Sequence, residues 1–189
     1  MRLFVAVTLG AAIEAQVRTA LEHLKGLAPR ARWVPPENLH LTLSFLGEVA
    51  SERVPALAEA LQRVGEAHAP LVLSVCEGGS FGSPSHPRVL WADIRGDTAA
   101  LGALQAAVVE ALKPLGFTPE ERAFTAHLTL ARARVPRGDQ ELTECVRALR
   151  GSRWGETRVD RLVLFESLHG RYVSRAEAPL SKAPPPAGA

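Results

Sequence analysis

The stretch His40-Leu41-Thr42-Leu43 recurs, letter for letter, as His127-Leu128-Thr129-Leu130. The amino-acid composition of the chain predicts only roughly 0.005 chance copies of one such tetrapeptide, so two copies indicate an internal repeat. The copies begin 87 positions apart in a chain of 189 residues, so the repeating unit is about half of the sequence. This repeat decides how we interpret the rest of the chain.

Each tetrapeptide lies in a predicted β-strand, where residues two positions apart point to the same face. His40 and Thr42 therefore project together, and His127 and Thr129 do the same in the second copy. If a pseudo-twofold axis relates the two halves, the two pairs face each other across one cleft. Two imidazoles can act as acid and base near neutral pH, and two hydroxyls can hold phosphate oxygens. The arrangement suits a phosphodiester or cyclic phosphate.

The remaining sequence alternates between strand and helix patterns. Strands are predicted at residues 3–9, 39–46, 71–76, 88–94, 126–133, 158–167 and 172–178. Helices are predicted at residues 13–26, 51–64, 97–112 and 139–149, and a long loop of turn-forming residues at 78–87. We expect an α+β fold of two half-length lobes, with antiparallel sheets and flanking helices around a central groove. Residues 1–180 would form this single domain, and residues 181–189 a disordered Pro/Ala tail.

Composition and charge exclude several classes of protein. The formal charge is +2, from 22 basic and 20 acidic residues, which is too weak for non-specific wrapping of duplex nucleic acid. Because no apolar run approaches the length of a membrane span, we expect a cytoplasmic protein that has no membrane partner. The only cysteines, Cys76 and Cys145, lack the spacing of a zinc site or disulfide framework. No nucleotide-binding glycine motif occurs, so we expect no cofactor. The histidines outside the repeat share no metal-ligand spacing and threonine is a poor ligand, so we also expect no metal.

Four segments resemble the two-histidine phosphoesterase superfamily, and within it the RNA 2',3'-cyclic phosphodiesterases, also called 2'-5' RNA ligases. The similar segments are residues 1–7, 33–47, 124–132 and 162–167. The resemblance implies a bilobal α+β fold whose two His-x-Thr motifs are catalytic and line a central groove. One position departs from the family pattern, because Ala126 stands where the family often has a proline before the second histidine.

The resemblance also implies that Phe45 stacks on the nucleoside and that Arg132 binds the phosphate. Each lies five residues after its histidine, an odd offset that points away from the histidine face unless a bulge intervenes. With the nucleoside on Phe45, His40 lies nearer the ribose and is the proton donor to O3', while His127 is the proton acceptor from water. Thr42 and Thr129 would then hold the non-bridging oxygens. Trp33 is a weaker candidate for the groove than for the core.

We therefore expect a monomeric hydrolase that converts RNA 2',3'-cyclic phosphate ends into 2'-phosphates without a metal. Three alternatives stay open at the level of the sequence. The same displacement with a 5'-hydroxyl in place of water would join RNA ends through a 2'-5' linkage. Small cyclic nucleotides could replace RNA as the substrate. A module that binds RNA ends without catalysis would also use this groove.

Overall fold

A computed structural model describes residues 1–118 and 122–182, which contain nine β-strands and four α-helices. The strands are Arg2–Thr8 (β1), Arg32–Trp33 (β2), His40–Glu48 (β3), Leu71–Ser83 (β4), His86–Gly96 (β5), His127–Arg132 (β6), Arg153–Val159 (β7), Arg161–Leu168 (β8) and Arg171–Pro179 (β9). The helices are Ala11–Leu27 (α1), Val54–Ala67 (α2), Thr98–Leu112 (α3) and Glu141–Ala148 (α4). Most of the predicted tail, residues 183–189, lies outside the described residues.

The strands form two antiparallel sheets. The first sheet has the order β3-β1-β8-β9 and the second the order β2-β6-β5-β4-β7. One copy of the repeated tetrapeptide lies in each sheet, in β3 and in β6. The predicted α+β fold with two antiparallel sheets is thus confirmed.

Each sheet is covered by one helix from the first half of the chain and one helix from the second half. Helix α2 packs on β8 and β9, and α3 lies against α2 and β3, which completes the first lobe. Helix α1 packs on β7 and α4, and α4 packs on β4 and β5, which completes the second lobe. Each lobe therefore takes segments from both halves of the chain. The repeated tetrapeptide alone does not reveal this exchange.

The prediction of a loop at residues 78–87 is wrong, because β4 and β5 continue through this stretch as a long hairpin. Only Pro84 and Ser85 form the turn. The glycines that favoured a loop serve close packing instead: a β-carbon at Gly79 would lie 2.6 Å from Cζ2 of Trp91 on the paired strand. The cross-strand contacts outweigh the local turn propensity.

The predicted strand at residues 158–167 proves to be two strands. β7 ends at Val159, β8 begins at Arg161, and Asp160 between them leaves the strand conformation. The two strands belong to different sheets. The alternation of apolar and polar residues continues from β7 through Asp160 into β8. The sequence pattern therefore predicts a single strand.

One continuous hydrophobic core joins the two lobes. It contains residues from both sheets and all four helices, among them Leu41 and Leu128 of the repeated motifs. None of the helices in the described part of the chain combines the length and hydrophobicity needed to cross a bilayer.

Candidate active site

A groove of about 1110 Å³ lies between the two lobes, where β3 and β6 approach each other. All six site residues predicted from the sequence line this groove. They are His40, Thr42, Phe45, His127, Thr129 and Arg132. The structure therefore brings the two copies of the motif together at one place.

A β-bulge at the same position in both strands explains how Phe45 and Arg132 reach the groove. The pairing of β3 with β1 skips Leu43, and the pairing of β6 with β5 skips Leu130. Each skipped leucine is the last residue of its tetrapeptide. An extra residue in one strand reverses the alternation of side chains beyond it. The bulge that the odd offset requires is thus present in both copies.

The backbone carbonyls of the two skipped leucines accept hydrogen bonds from residues outside β1 and β5, the strands against which the bulges form. Nε2 of Gln105, on α3, donates to the Leu43 carbonyl at 3.2 Å. The backbone N–H of Val34 donates to the Leu130 carbonyl at 2.9 Å. Because an unpaired buried carbonyl is costly, these contacts stabilise the bulges.

Each of the two histidine rings is held by a hydrogen bond to the backbone carbonyl two residues earlier in the chain. Nδ1 of His40 lies 2.7 Å from the carbonyl oxygen of Asn38, and Nδ1 of His127 lies 2.7 Å from that of Thr125. A carbonyl only accepts hydrogen bonds, so each Nδ1 carries the proton. In the neutral ring Nε2 is then the basic nitrogen, and it is the one left for a ligand.

The surroundings of the two rings differ. The His40 ring packs among aromatic residues, with ring centroids 4.9 Å from Phe4 and 5.0 Å from Tyr172. Burial lowers the pKa of His40, the hydrogen bond to Asn38 acts in the opposite direction, and the positive charge of Arg132 lowers the pKa further. His127 is the more open ring and meets the edge of Phe81, with centroids 4.9 Å apart.

The groove is electropositive. Its described lining contains several arginines and neither an aspartate nor a glutamate. The arginines are Arg2, Arg88, Arg122, Arg132 and Arg134. The whole chain carries only +2, so the basic charge is concentrated at this groove. Such a field favours anionic ligands.

The threonine hydroxyls are free to bind a ligand. Thr42 and Thr129 are half-buried in the groove, and within residues 1–118 and 122–182 their hydroxyls form no hydrogen bond with the protein. Each hydroxyl can therefore donate to an oxygen that enters the groove.

Several groove residues escaped the sequence analysis. Phe4 and Tyr172 come from β1 and β9, and Phe81 comes from the stretch predicted as a loop. No motif marks these aromatics, and strand alternation alone identifies them only once the sheet order is known. Asn38 supports His40 from the preceding turn, and its side-chain amide donates to the Gly170 carbonyl at 3.0 Å.

Trp33 packs against the core, and its indole N–H donates to the Ala28 carbonyl at 3.0 Å, so it holds the second lobe together and does not line the groove. Over the described ranges, no three side chains of His, Cys, Asp or Glu cluster in the way that metal ligands do.

Comparison with protein families places most of the chain in one group. The family model described as "LigT like Phosphoesterase" matches residues 8–91 and 95–173. Each matched range contains one copy of the tetrapeptide. An RNA 2',3'-cyclic phosphodiesterase of Archaeoglobus fulgidus is 38% identical over 168 residues, which are 89% of this chain and 92% of the relative. Another, of Methanothermobacter thermautotrophicus, is 29% identical over 88% of this chain and 90% of the relative.

Solved structures have the same fold. A crystal structure of a Thermus thermophilus protein superposes with a TM-score of 0.75 at 26% identity, covering 95% of this chain and 98% of the other. The Escherichia coli LigT protein, crystallised with 3'-AMP, gives a TM-score of 0.72 at 27% identity, covering 96% and 98%. The bilobal architecture is therefore shared over nearly the full length.

Proposed function

The chain belongs to the LigT-like phosphoesterase family and is a phosphodiesterase, and we propose that it opens 2',3'-cyclic phosphates at RNA ends to give 2'-phosphates. The observation that carries this proposal is the paired histidine geometry. Two imidazoles in one basic groove each have Nδ1 tied to a backbone carbonyl, which leaves Nε2 for proton transfer. Relatives named RNA 2',3'-cyclic phosphodiesterase supply the substrate class.

In the proposed reaction, water attacks phosphorus and the bond from phosphorus to O3' breaks. Nε2 of His127 takes a proton from the water, and Nε2 of His40 gives a proton to O3'. The two groups must lie on opposite sides of the phosphate, as residues of two facing strands do. Phe45 follows His40 in the same strand and is 56% exposed, so a nucleoside stacked on it lies on the side of His40.

Thr42, Thr129 and Arg132 would hold the non-bridging oxygens of the phosphate. A guanidinium matches two such oxygens, and hydroxyl donors strengthen their bonds as negative charge develops in the transition state. Arg132 also fits this role because it forms no ion pair within the described part of the chain. No carboxylate among those described residues therefore neutralises its charge.

The lowered pKa of His40 is compatible with its proposed role as proton donor. A bound phosphate anion counteracts the desolvation and the charge of Arg132, and so favours the imidazolium form. Once protonated, an imidazolium of low pKa is a strong acid that transfers its proton readily to O3'.

The test is to incubate the enzyme with an oligonucleotide that ends in a 2',3'-cyclic phosphate, in the presence of EDTA. We expect a 2'-phosphate product, identified by chromatography against 2'- and 3'-phosphate standards. His23→Ala removes an exposed histidine of α1 outside the groove and is the matched control that keeps full activity. A 3'-phosphate product, or no product, would contradict the proposal. Loss of activity only in EDTA would contradict metal independence.

We further propose that residues 1–180 form a single domain and that the protein acts as a monomer in the cytoplasm. The two buried free thiols, Cys76 and Cys145, suit a reducing compartment. Burial raises the pKa of Cys145 to about 11, which keeps this thiol unreactive. Light scattering should give the mass of one chain, and a dimer mass would refute the monomer.

A further inference from the structure

Phe81 and Arg88 line the groove but have no part in the proposed reaction. Both lie on the β4–β5 hairpin of the second lobe. Phe81 is 37% exposed, and in the described part of the chain Phe45 and Phe81 are the two exposed aromatic side chains. An exposed aromatic ring is unfavourable in water, and in a basic groove it is a typical stacking surface for a nucleic-acid base.

The position of Phe81 is defined by contacts on two sides. Its ring lies 5.4 Å from the ring of Trp91 and meets the His127 ring at 4.9 Å with an interplanar angle of 88°. Phe81 pairs with Val89, and Val89 pairs with Arg132, so the three residues lie in one row across three strands. Phe81 is therefore two strands, about 10 Å, from the arginine that faces the phosphate.

Arg88 lies opposite Phe81 and Gly82 on the paired strand β5, at the position that the pairing skips. A β-carbon at Gly82 would come within 3.2 Å of Cγ of Arg88, so the glycine next to Phe81 leaves room for the arginine side chain. Arg88 forms no ion pair or side-chain hydrogen bond with any other described residue. An exposed ring and an uncompensated guanidinium on one hairpin match the base and the phosphate of one nucleotide.

We propose that Phe81 and Arg88 form a subsite for a second nucleotide, on the side of the reacting phosphate from which the nucleophile attacks. The inference rests on the proposed function, in which His127 accepts the proton of the nucleophile. A nucleoside stacked on Phe81 lies next to His127 and can present its 5'-hydroxyl in place of water. Arg88 then binds the 3'-phosphate of that nucleoside.

The reaction at this subsite balances without a further reactant. The 5'-oxygen forms a bond to phosphorus, the bond from phosphorus to O3' breaks, and the product is a 2'-5' phosphodiester. The 5'-hydroxyl proton goes to His127, and the proton of His40 goes to O3'. Phe81 and Arg88 therefore set how often a nucleoside intercepts the cyclic phosphate instead of water.

The experiment measures, in one reaction mixture, how often an added acceptor and how often water attacks the cyclic phosphate. Adenosine 2',3'-cyclic phosphate is incubated with the enzyme and with equal concentrations of methanol, uridine or uridine 3'-phosphate as the acceptor. Chromatography gives the ratio of the 2'-5' product to the 2'-phosphate formed by water. The variants are Phe81→Leu, which keeps apolar bulk without an aromatic face, and Arg88→Gln. Arg18→Gln on the exposed surface of α1 is the charge-matched control.

For the wild type we expect uridine to intercept at least about tenfold more often than methanol, and uridine 3'-phosphate to exceed uridine. Phe81→Leu should reduce interception by both nucleosides about tenfold relative to water, and Arg88→Gln should remove only the advantage of the 3'-phosphate. Arg18→Gln should match the wild type. A normal yield of 2'-phosphate with no preference for uridine over methanol, or with unchanged partition in both variants, overturns the subsite alone. Absence of all products overturns the proposed function and the subsite with it.

Discussion

The imidazoles of His40 and His127 differ in their surroundings and share their attachment. In both, the carbonyl two residues earlier in the chain binds Nδ1, so backbone geometry sets the tautomer of the ring. The His40 ring packs against Phe4 and Tyr172, whereas the His127 ring packs against Phe81. A repeated motif thereby yields two groups of the same kind in different surroundings, and burial lowers the pKa of His40.

After burial, the positive charge of Arg132 contributes to the lowered pKa of His40. Arg132→Gln removes a positive charge near His40, so we expect the pKa of His40 to rise towards its ordinary value. The measurement is an NMR titration of the histidine ring signals in the free enzyme. Arg18→Gln, remote from the groove, is the control and should leave the titration unchanged. An unaltered or lower pKa of His40 in Arg132→Gln would show that the two side chains are not coupled.

The assignment of donor and acceptor makes a prediction about leaving groups. A leaving group of low pKa, such as p-nitrophenolate from a phosphodiester, needs little protonation. His40→Ala should therefore retain far more activity on such a substrate than His127→Ala, whereas on a cyclic phosphate both should be severely impaired. Steady-state rates on the two substrates give the comparison. The reverse order on the p-nitrophenyl ester would exchange the two roles. Equal losses on that ester would contradict the assignment of a separate donor and acceptor.

At the scale of the strand, the odd offset together with the family resemblance predicts the bulge. Phe45 and Arg132 are an odd number of residues from their histidines, and only an irregular strand brings such residues to one face. The hairpin of β4 and β5 was not predictable in this way, because Gly79 looks like a loop residue until Trp91 is known to lie against it. Contacts between distant residues, absent from local patterns, decided that segment.

The bulge in β3 depends on a contact from α3, which leads to a test. Gln105→Leu removes the donor to the Leu43 carbonyl, and we expect a loss of about 1 kcal/mol in the free energy of unfolding. Because Phe45 follows the bulge, KM for nucleotide substrates should rise more than kcat falls. Urea unfolding and steady-state kinetics give the two values. Gln62→Leu on the exposed face of α2 is the control, and equal effects of the two variants would deny the bulge a special role.

At the scale of the whole molecule, the exchange of segments between lobes is the feature that the sequence did not reveal. A repeat shows that two halves are alike, yet it does not show whether each half packs on itself or on the other. Here β1 pairs with β8 of the opposite half, and β5 pairs with β6. The groove therefore forms only when both halves are folded together.

This exchange predicts cooperative unfolding. A fragment of residues 1–96 contains β1 to β5 but lacks the strands that pair with β1 and β5 from the second half. We expect circular dichroism of the fragment to show no cooperative thermal transition, whereas the full chain should unfold in one step by circular dichroism and tryptophan fluorescence alike. A fragment that folds on its own, or two separate transitions in the full chain, would contradict a shared core.

The joint action of the two histidines is tested by the rate of 2'-phosphate formation from a 2',3'-cyclic-phosphate oligonucleotide. The enzymes to compare are the wild type, His40→Ala, His127→Ala and the double variant. If one imidazole donates and the other accepts a proton in the same displacement, each single variant should lose about 10²- to 10⁴-fold in kcat/KM. All variants should unfold at temperatures close to that of the wild type. Retention of near-wild-type kcat/KM by either single variant would contradict two-histidine catalysis in this groove.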